Sequence, residues 1–415
     1  SYNKDKTDGH RENSDFNMNN LYSKLSFDLN SHFKIWTDVS LARYQSTNPG
    51  PINTEDTTYK FPTHYQAIER GFASAAIENN YKKVQGALKT YVNWGNHTLA
   101  YDDFESSDIN YGLMLYQALK LFKGNNITAG FDYAHYGGYA FNNIEYDPVK
   151  FIDTAIFETG LYALVQQEFF KVMTVSAGIR YQYHEMFEST WIPQLGVSYS
   201  ITENTSVRAN VSKGYRSPTI RELFMFKPAN SALDPESMWN YEAGAIQKLL
   251  GQKLSLDLTG FFARGKNLIE TVGVFPDIQN QNTGSFTHYG IEFQGKYIIR
   301  KDLDLMLNYS WLHTDKPTIA APEHQVYLQG NYMVKGFSFF LSTQYINQLV
   351  TLKEPLTTQS YLLLSARVSY TIKDYLTFYV DGNNLTDENY EINYGYPMPG
   401  ISVMAGFVVN WKKRF

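Results

Sequence analysis

The 415-residue chain contains no cysteine, which removes disulfides, thiolate metal centres and cysteine nucleophiles together. It has no run of about 18 apolar residues and a mean hydropathy of −0.38, so no part of it is expected to cross a membrane as a helix. Charge of one sign is scarce. Lys and Arg number 36 against 41 Asp and Glu, a net charge of −5, which leaves no electrostatic footprint for nucleic acid. The first residues, Ser1-Tyr2-Asn3-Lys4-Asp5-Lys6, lack both an initiator methionine and a signal-peptide core, and read as the middle of a longer chain. The nine histidines are scattered, with neither an HExxH pattern nor a close pair at ligand spacing. Neither a G-x-S-x-G elbow nor a phosphate-cradling glycine loop is present. No catalytic set, metal centre or cofactor is therefore expected, and the chain is not read as an enzyme.

What is abundant is aromatic: 33 Tyr, 27 Phe and 6 Trp make up 16% of the residues, about twice ordinary usage. Helical periodicity is weak and period two dominates. Leu303, Leu305, Leu307, Tyr309 and Trp311 alternate with Asp304, Met306, Asn308 and Ser310. Leu254, Leu256, Leu258, Gly260 and Phe262 alternate with Ser255, Asp257, Thr259 and Phe261. The same holds from Leu362 to Ile372 and from Ile401 to Trp411. Such strands have one apolar and one polar face. In a sandwich the apolar face meets another sheet; in an outer-membrane barrel it meets lipid.

The connections separate these cases. Short polar turns near 30–32, 79–81, 123–125, 169–171, 202–204, 251–252, 300–302, 334–336 and 373–374 alternate with longer stretches rich in aromatics, glycine or proline. Those stretches run roughly over 46–66, 101–108, 136–149, 184–190, 214–238, 266–287, 313–323, 350–360 and 385–400. Short turns on one rim and long loops on the other define an up-and-down membrane barrel. The expected fold is an all-β, transmembrane, antiparallel barrel of about 19 strands, the first near 18–29 and the last near 401–413. Single-chain bacterial barrels have even strand numbers, so about 22 strands are expected once three earlier ones are supplied. Trp36, Trp191, Tyr309, Trp311, Tyr370 and Trp411 fall near strand ends on or beside the apolar face, as interfacial aromatics do.

Several strings resemble one family. The segment Ser212-Lys213-Gly214-Tyr215-Arg216-Ser217-Pro218-Thr219-Ile220-Arg221-Glu222-Leu223-Phe224 is similar to a box of the TonB-dependent outer-membrane receptors. So are Leu233-Asp234-Pro235-Glu236 with Asn240-Tyr241-Glu242-Ala243-Gly244, and Asn282-Thr283-Gly284 through Tyr289-Gly290-Ile291-Glu292. Asn383-Asn384-Leu385-Thr386-Asp387-Glu388-Asn389-Tyr390 and Gly395-Tyr396-Pro397-Met398-Pro399-Gly400 resemble the family's closing motifs, and Phe415 its terminal aromatic signature. Thr7 to Ser14 resembles an early loop. The boxes occur in family order along nearly the whole chain. The match departs in lacking the N-terminal plug, the TonB box and the first strands, and in having Ile401-Ser402 where an Arg often follows the Pro-Gly.

The resemblance implies an outer-membrane receptor domain over residues 1–415 that takes up a bulky chelate, ferric siderophore-like or cobalamin-like. Its implied partners are outer-membrane lipid, the extracellular chelate and the TonB energy-coupling protein, engaged through the missing N-terminal part. Haem ranks lower, because no histidine lies within 214–238. The ligand-binding candidates are aromatic and cationic side chains on the long loops: Tyr215, Arg216, Arg221, Phe224, Phe226, Tyr390, Tyr394, Tyr396 and Met398, with stacking surface and charge suited to a bulky anion. For Tyr215, Arg216 and Pro218 the plainer reading is strand-end packing. His10 and His64 are loop histidines, and Asp102, Asp103, Glu105 and Asp108 read as an acidic outer loop that could hold Ca²⁺. A passive pore, a membrane-embedded hydrolase and a soluble all-β binding protein stand as alternatives.

Overall fold

The computed structural model describes all residues except 53–64, 101–102, 143–148, 226, 274–276, 374 and 411–415. Twenty strands form one antiparallel sheet in which each pairs with its neighbours in sequence, apart from two short ribbons that belong to loops. The sheet opens with Tyr2–Thr7, paired to Phe16–Asp28, and ends with Ser402–Val409, paired to Leu376–Asn383. The first of these was not expected: Thr7 to Ser14 joins two strands instead of preceding the first. Its sequence, Tyr-Asn-Lys-Asp-Lys-Thr, has almost no apolar face, so period-two counting passes over it.

The rims follow the expected parity. One rim carries only connections of two to five residues, at 29–32, 81–83, 120–124, 170–172, 201–204, 250–253, 301–302, 335–336 and 373–375. The turn at Lys335-Gly336 has φ of 48° and 86°, the doubly left-handed pair that matches strand twist and that glycine accepts without penalty. The other rim carries 8–15, 48–52 and the described residues of 217–235, 267–284, 315–323 and 384–401. Lys335 and Ala321 thus lie beyond opposite ends of the strand His324–Val334.

Four expected long loops are shortened. The stretches 184–190 and 350–360 contract to connections at 185–186 and 353–356, 101–108 is strand from Phe104 and 136–149 is strand up to Asn142, because strands run on through them. Val149–Phe169 is 21 residues long, about twice what a tilted strand needs to cross lipid. Above the lipid the outward face need not be apolar, so the alternation fades from the sequence while the ladder continues. Glu105 and Asp108 accordingly sit on the strand Phe104–Leu119 and not in a loop. Asp108 takes two hydrogen bonds from Arg70, at 2.6 and 2.8 Å. Among the described residues no group of His, Asp or Glu is arranged to hold a metal.

The two faces differ as the alternation requires. Leu305 and Phe407 point outward, exposed by 38% and 66%. Leu256 and Leu364 share their faces with Leu258 and Leu362, both exposed outward. The inward face carries cross-strand ion pairs: Arg180 with Asp132 at 2.6 Å, Arg208 with Asp257 at 2.8 Å and Arg367 with Asp381 at 3.4 Å. Asn308 and Asp257 line one polar cavity with Arg208 and Glu292. Gly406 faces inward opposite Tyr379, where a Cβ would come within 2.5 Å of the phenol oxygen. The Arg367 guanidinium stacks 4.1 Å from that ring. Trp36 departs from the expected apolar face. It lies inside, donating to Glu78 at 2.6 Å with the ammonium groups of Lys24 and Lys89 at 4.5 and 5.3 Å from its ring.

Among the described residues no ladder joins Ser402–Val409 to Tyr2–Thr7 or to Phe16–Asp28. The loops beside the two edges nevertheless meet at the long-loop rim. His10 Nε2 lies 2.9 Å from the Pro397 carbonyl, Arg11 sits 5.7 Å from the Tyr396 ring, and the Ile52 N–H donates to Gly395 at 2.8 Å. The sheet is therefore curled into a barrel wall whose first and last strands are linked through their loops at that rim.

Candidate functional site

The long-loop rim brings the sequence candidates into two groups. The first is built around the helix Ile220–Phe224 in the 217–235 connection. Thr219 caps it, and its hydroxyl accepts from the Glu222 N–H while Glu222 reaches back to the Thr219 N–H, a reciprocal capping box. Leu223, 2% exposed, anchors the turn. Arg216 closes the base of the loop, donating to Glu236 at 2.6 Å and to Glu222 at 2.9 and 3.2 Å. Burial alone would raise the Glu222 carboxyl, but the hydrogen bonds from Arg216 and Thr219 outweigh it and hold that group below its ordinary value.

Ile220, Arg221 and Met225 share a cavity with Asp108, Tyr136 and Tyr139, which stand on strands that are not ladder neighbours of the loop's own. The helix thus reaches across the barrel mouth. Phe224 is half-buried at the helix end, and Phe226 lies outside the described residues. Tyr215 has Ser237 as its ladder partner and lines a groove with Lys213 and Trp239, while its phenol lies within electrostatic reach of Glu158 and Tyr136, the latter a wall of the Arg221 cavity.

The second group lies on the 384–401 connection. Glu391–Asn393 pairs with Tyr396–Pro397 in a small ribbon. The Tyr390 ring meets that of Tyr361 at a tilt of 38° with centroids 4.4 Å apart, packed against Ile346 and Leu349. Its carbonyl accepts from the Met398 N–H at 2.9 Å, and burial raises its phenol pKa. Tyr394 and Tyr396 are exposed.

A hairpin that carries none of the candidates connects the loops. Ile269–Val272 pairs with Gln279–Asn282. On one side Asn280 and Asn282 lock it to the helix loop: the Asn280 N–H donates to Pro228 at 2.7 Å, Asn280 Nδ2 to Glu222 at 3.3 Å, and Asn282 Nδ2 to Asp234 at 3.0 Å. On the other side Glu270 accepts from Lys353 at 2.6 Å, with Lys316 at 3.9 Å. The hydrogen bond from Lys353 is the largest cause holding the Glu270 carboxyl below its ordinary value, followed by that from Thr283. Next along the rim, the Tyr394 N–H donates to Thr351 at 3.4 Å and the Glu391 N–H to Gln359 Oε1 at 2.8 Å. The loops from 217 to 401 are thus tied in sequence around the mouth. Glu270, Lys316 and Lys353 were not among the sequence candidates. The one local signal was the run Gln279-Asn280-Gln281-Asn282-Thr283, dense in side chains that bond to loop backbone.

Residues 1–385 match the family described as TonB dependent receptor-like, beta-barrel. The chain is similar to the vitamin B12 transporter BtuB of Vibrio cholerae serotype O1, with 22% identity over 248 residues, 58% of this chain and 40% of that protein. It is also similar to the metal-pseudopaline receptor CntO of Pseudomonas aeruginosa, with 25% identity over 215 residues, 48% of this chain and 30% of that one. These matches span less than half the length of either relative. Among solved structures, a mutant of the ferric enterobactin receptor PfeA of Pseudomonas aeruginosa in complex with enterobactin superposes with a TM-score of 0.80 at 14% identity, covering 95% of this chain and 70% of that one. The siderophore receptor PirA of the same species gives 0.76 at 15%, covering 95% and 71%. This likeness is one of fold. With the alternating wall, the two unequal rims and a family match over most of its length, the chain belongs to the TonB-dependent receptor β-barrel family.

Proposed function

We propose that this barrel is the outer-membrane part of a receptor that takes up a bulky metal chelate, ferric siderophore-like or cobalamin-like, by TonB-energised transport. One observation carries the reading. The loops from 217 to 401 on a single rim are tied to one another, and the helix Ile220–Phe224 reaches over the polar lumen to a cavity walled by Asp108 and Tyr136. Loops tied in this way hold ligand groups in place above a pore, whereas a freely conducting pore has no need of such ties. The relatives named above, a vitamin B12 transporter, a metal-pseudopaline receptor and a ferric enterobactin receptor, support the class of cargo. Arg221, Tyr394 and Tyr396 stand at the rim with the charge and ring surface to meet such a ligand.

We further propose that segments preceding Ser1 supply additional strands and a plug. Tyr2–Thr7 and Ser402–Val409 each have one ladder partner among the described residues. An unpaired strand edge in lipid costs several kcal/mol per exposed polar group. The outer-membrane location and coupling to TonB rest on the same reading.

Deleting the gene should abolish growth on one class of ferric chelate or cobalamin under limitation, and uptake should vanish when TonB or the proton gradient is removed. Uptake that persists without either would favour the passive pore.

A further inference from the structure

We propose that the lumen and its mouth select a chelate that carries no net negative charge. The proposal rests on the receptor reading and deepens it, naming the charge class of the cargo. It reverses the expectation of a bulky anion, which counted loop cations without their partners.

The arginines that face the lumen are already neutralised. Arg70 pairs with Asp108, Arg180 with Asp132, Arg208 with Asp257, Arg367 with Asp381, and Arg216 with both Glu222 and Glu236. At the rim, Lys316 and Lys353 share Glu270. Arg221, in the cavity beneath the helix, is also partnered within the fold. Lys213 and Arg264 lie on the outward ladder face with Trp239. The inward lysines without a carboxylate, Lys24, Lys89, Lys248 and Lys296, stand near the short-turn ends of their strands, away from the mouth.

Carboxylates are left over. Ladder register puts Glu158, Glu242 and Glu292 on the inward face, opposite His184, Asn210 and Thr259. Among the described residues no cation lies within salt-bridge distance of any of the three. Glu158 accepts from Gln182 at 3.2 Å and lies within electrostatic reach of the phenols of Tyr91, Tyr136 and Tyr215. Arg180 also reaches it, but Asp132 already holds that guanidinium. A carboxylate among aromatic rings suits an ammonium group. Tyr136 also walls the cavity of about 360 Å³ beneath the helix, where the acceptor Asn110 Oδ1 is buried with no donor among the described residues. Glu292 is exposed in a cavity of about 480 Å³ shared with the Arg208–Asp257 pair. A cleft with a surplus of one sign concentrates the opposite charge and turns away its own. Iron(III) held by hydroxamates is neutral at the metal, whereas iron(III) held by catecholates is anionic, so the wall favours the first kind.

The test uses the full-length protein with Ser106→Cys, in the wall of the cavity beneath the helix, as its single cysteine. Its rates with a cationic trimethylammonium-ethyl and an anionic sulfonatoethyl methanethiosulfonate are compared. Their ratio is divided by that for a free thiol in solution, so that the ionisation of the cysteine cancels. The corrected ratio should favour the cation about tenfold at low salt and fall toward unity at high salt. Adding Glu158→Gln should lower it about threefold while keeping the heat-modifiable gel mobility of a folded barrel. If that variant fails to fold, Glu292→Gln, at an exposed position, should lower it by less. A corrected ratio at or below unity, or one that a folded variant leaves unchanged, would overturn the proposal. In the gene deletion, the growth lost should be that on a neutral or cationic chelate, and loss confined to an anionic catecholate would overturn the selection even at an acidic mouth. A deletion strain that uses every chelate as its parent does would instead overturn the receptor reading and leave the rate ratio standing.

Discussion

The ammonium of Lys353 lies 2.6 Å from the carboxylate of Glu270, and this single contact bridges 83 residues of chain and two loops of the rim. Glu270 is 22% exposed and Lys353 42%, so the pair is partly screened, and its coupling is expected near the upper end of about 0.2–1 kcal/mol. The Glu270 carboxyl is held below its ordinary value in the folded protein. Its contribution is therefore complete above the unfolded carboxylate pKa and is lost as pH falls through the depressed folded value. Hydrogen exchange in the hairpin 269–282 should quicken as pH drops below the carboxylate range, after correction for intrinsic rates. Glu270→Gln should show the fast exchange already at neutral pH. Identical exchange in both proteins would remove the latch.

Arg216 joins Glu222 and Glu236 at the base of the helix loop, and Glu236 is only 17% exposed. Arg216→Ala leaves that carboxylate without its counter-ion, with only the Ile269 N–H still donating to it, which should cost on the order of 1–3 kcal/mol. Arg216→Lys, lacking the forked geometry, should recover only part. Thermal unfolding in detergent reads this directly, and an unchanged midpoint for the alanine variant would mean the network is idle. If Arg216 serves mainly to hold the loop, Arg221→Ala should weaken chelate binding more per unit of lost stability.

The facing of the strands is open to chemical labelling. Cysteines replacing Asn308 or Ser365 should react with a membrane-impermeant maleimide through the lumen. Those replacing Leu305 or Leu364 should react only with a lipid-soluble reagent. Since one residue of slip inverts a strand, reversed labelling at any pair would mean the register of that strand is wrong.

Leu258 stands on the lipid face, exposed by 52%. Leu258→Arg should destabilise the folded barrel by about 2–4 kcal/mol if it sits near the bilayer midplane. Thr259→Arg, one residue on and facing the lumen, should cost much less. Folding titrations into vesicles compare the two, and equal costs would argue against a lipid-facing Leu258.

Period two is a local property, so the sequence alone determined the strands, their apolar faces and the parity of the turns: Leu303 to Trp311 alternates whatever its neighbours do. It also carried the family boxes, from Ser212 to Phe224 and from Asn383 to Gly400. It did not show Tyr2–Thr7 as a strand, because a wall segment without an apolar face has no alternation to read. For the same reason it overstated the loops at 101–108, 136–149, 184–190 and 350–360, where strands run beyond the lipid. The side on which Trp36 falls was settled by ladder register, which places it opposite Ser26 and Ala76. Only the tertiary structure decided the contacts that tie the rim together. Glu270 with Lys353, Asn280 with Glu222 and His10 with Pro397 join residues 83, 58 and 387 positions apart. No short-range pattern encodes such pairs, because they meet only once twenty strands have curled the wall and brought its loops to one mouth.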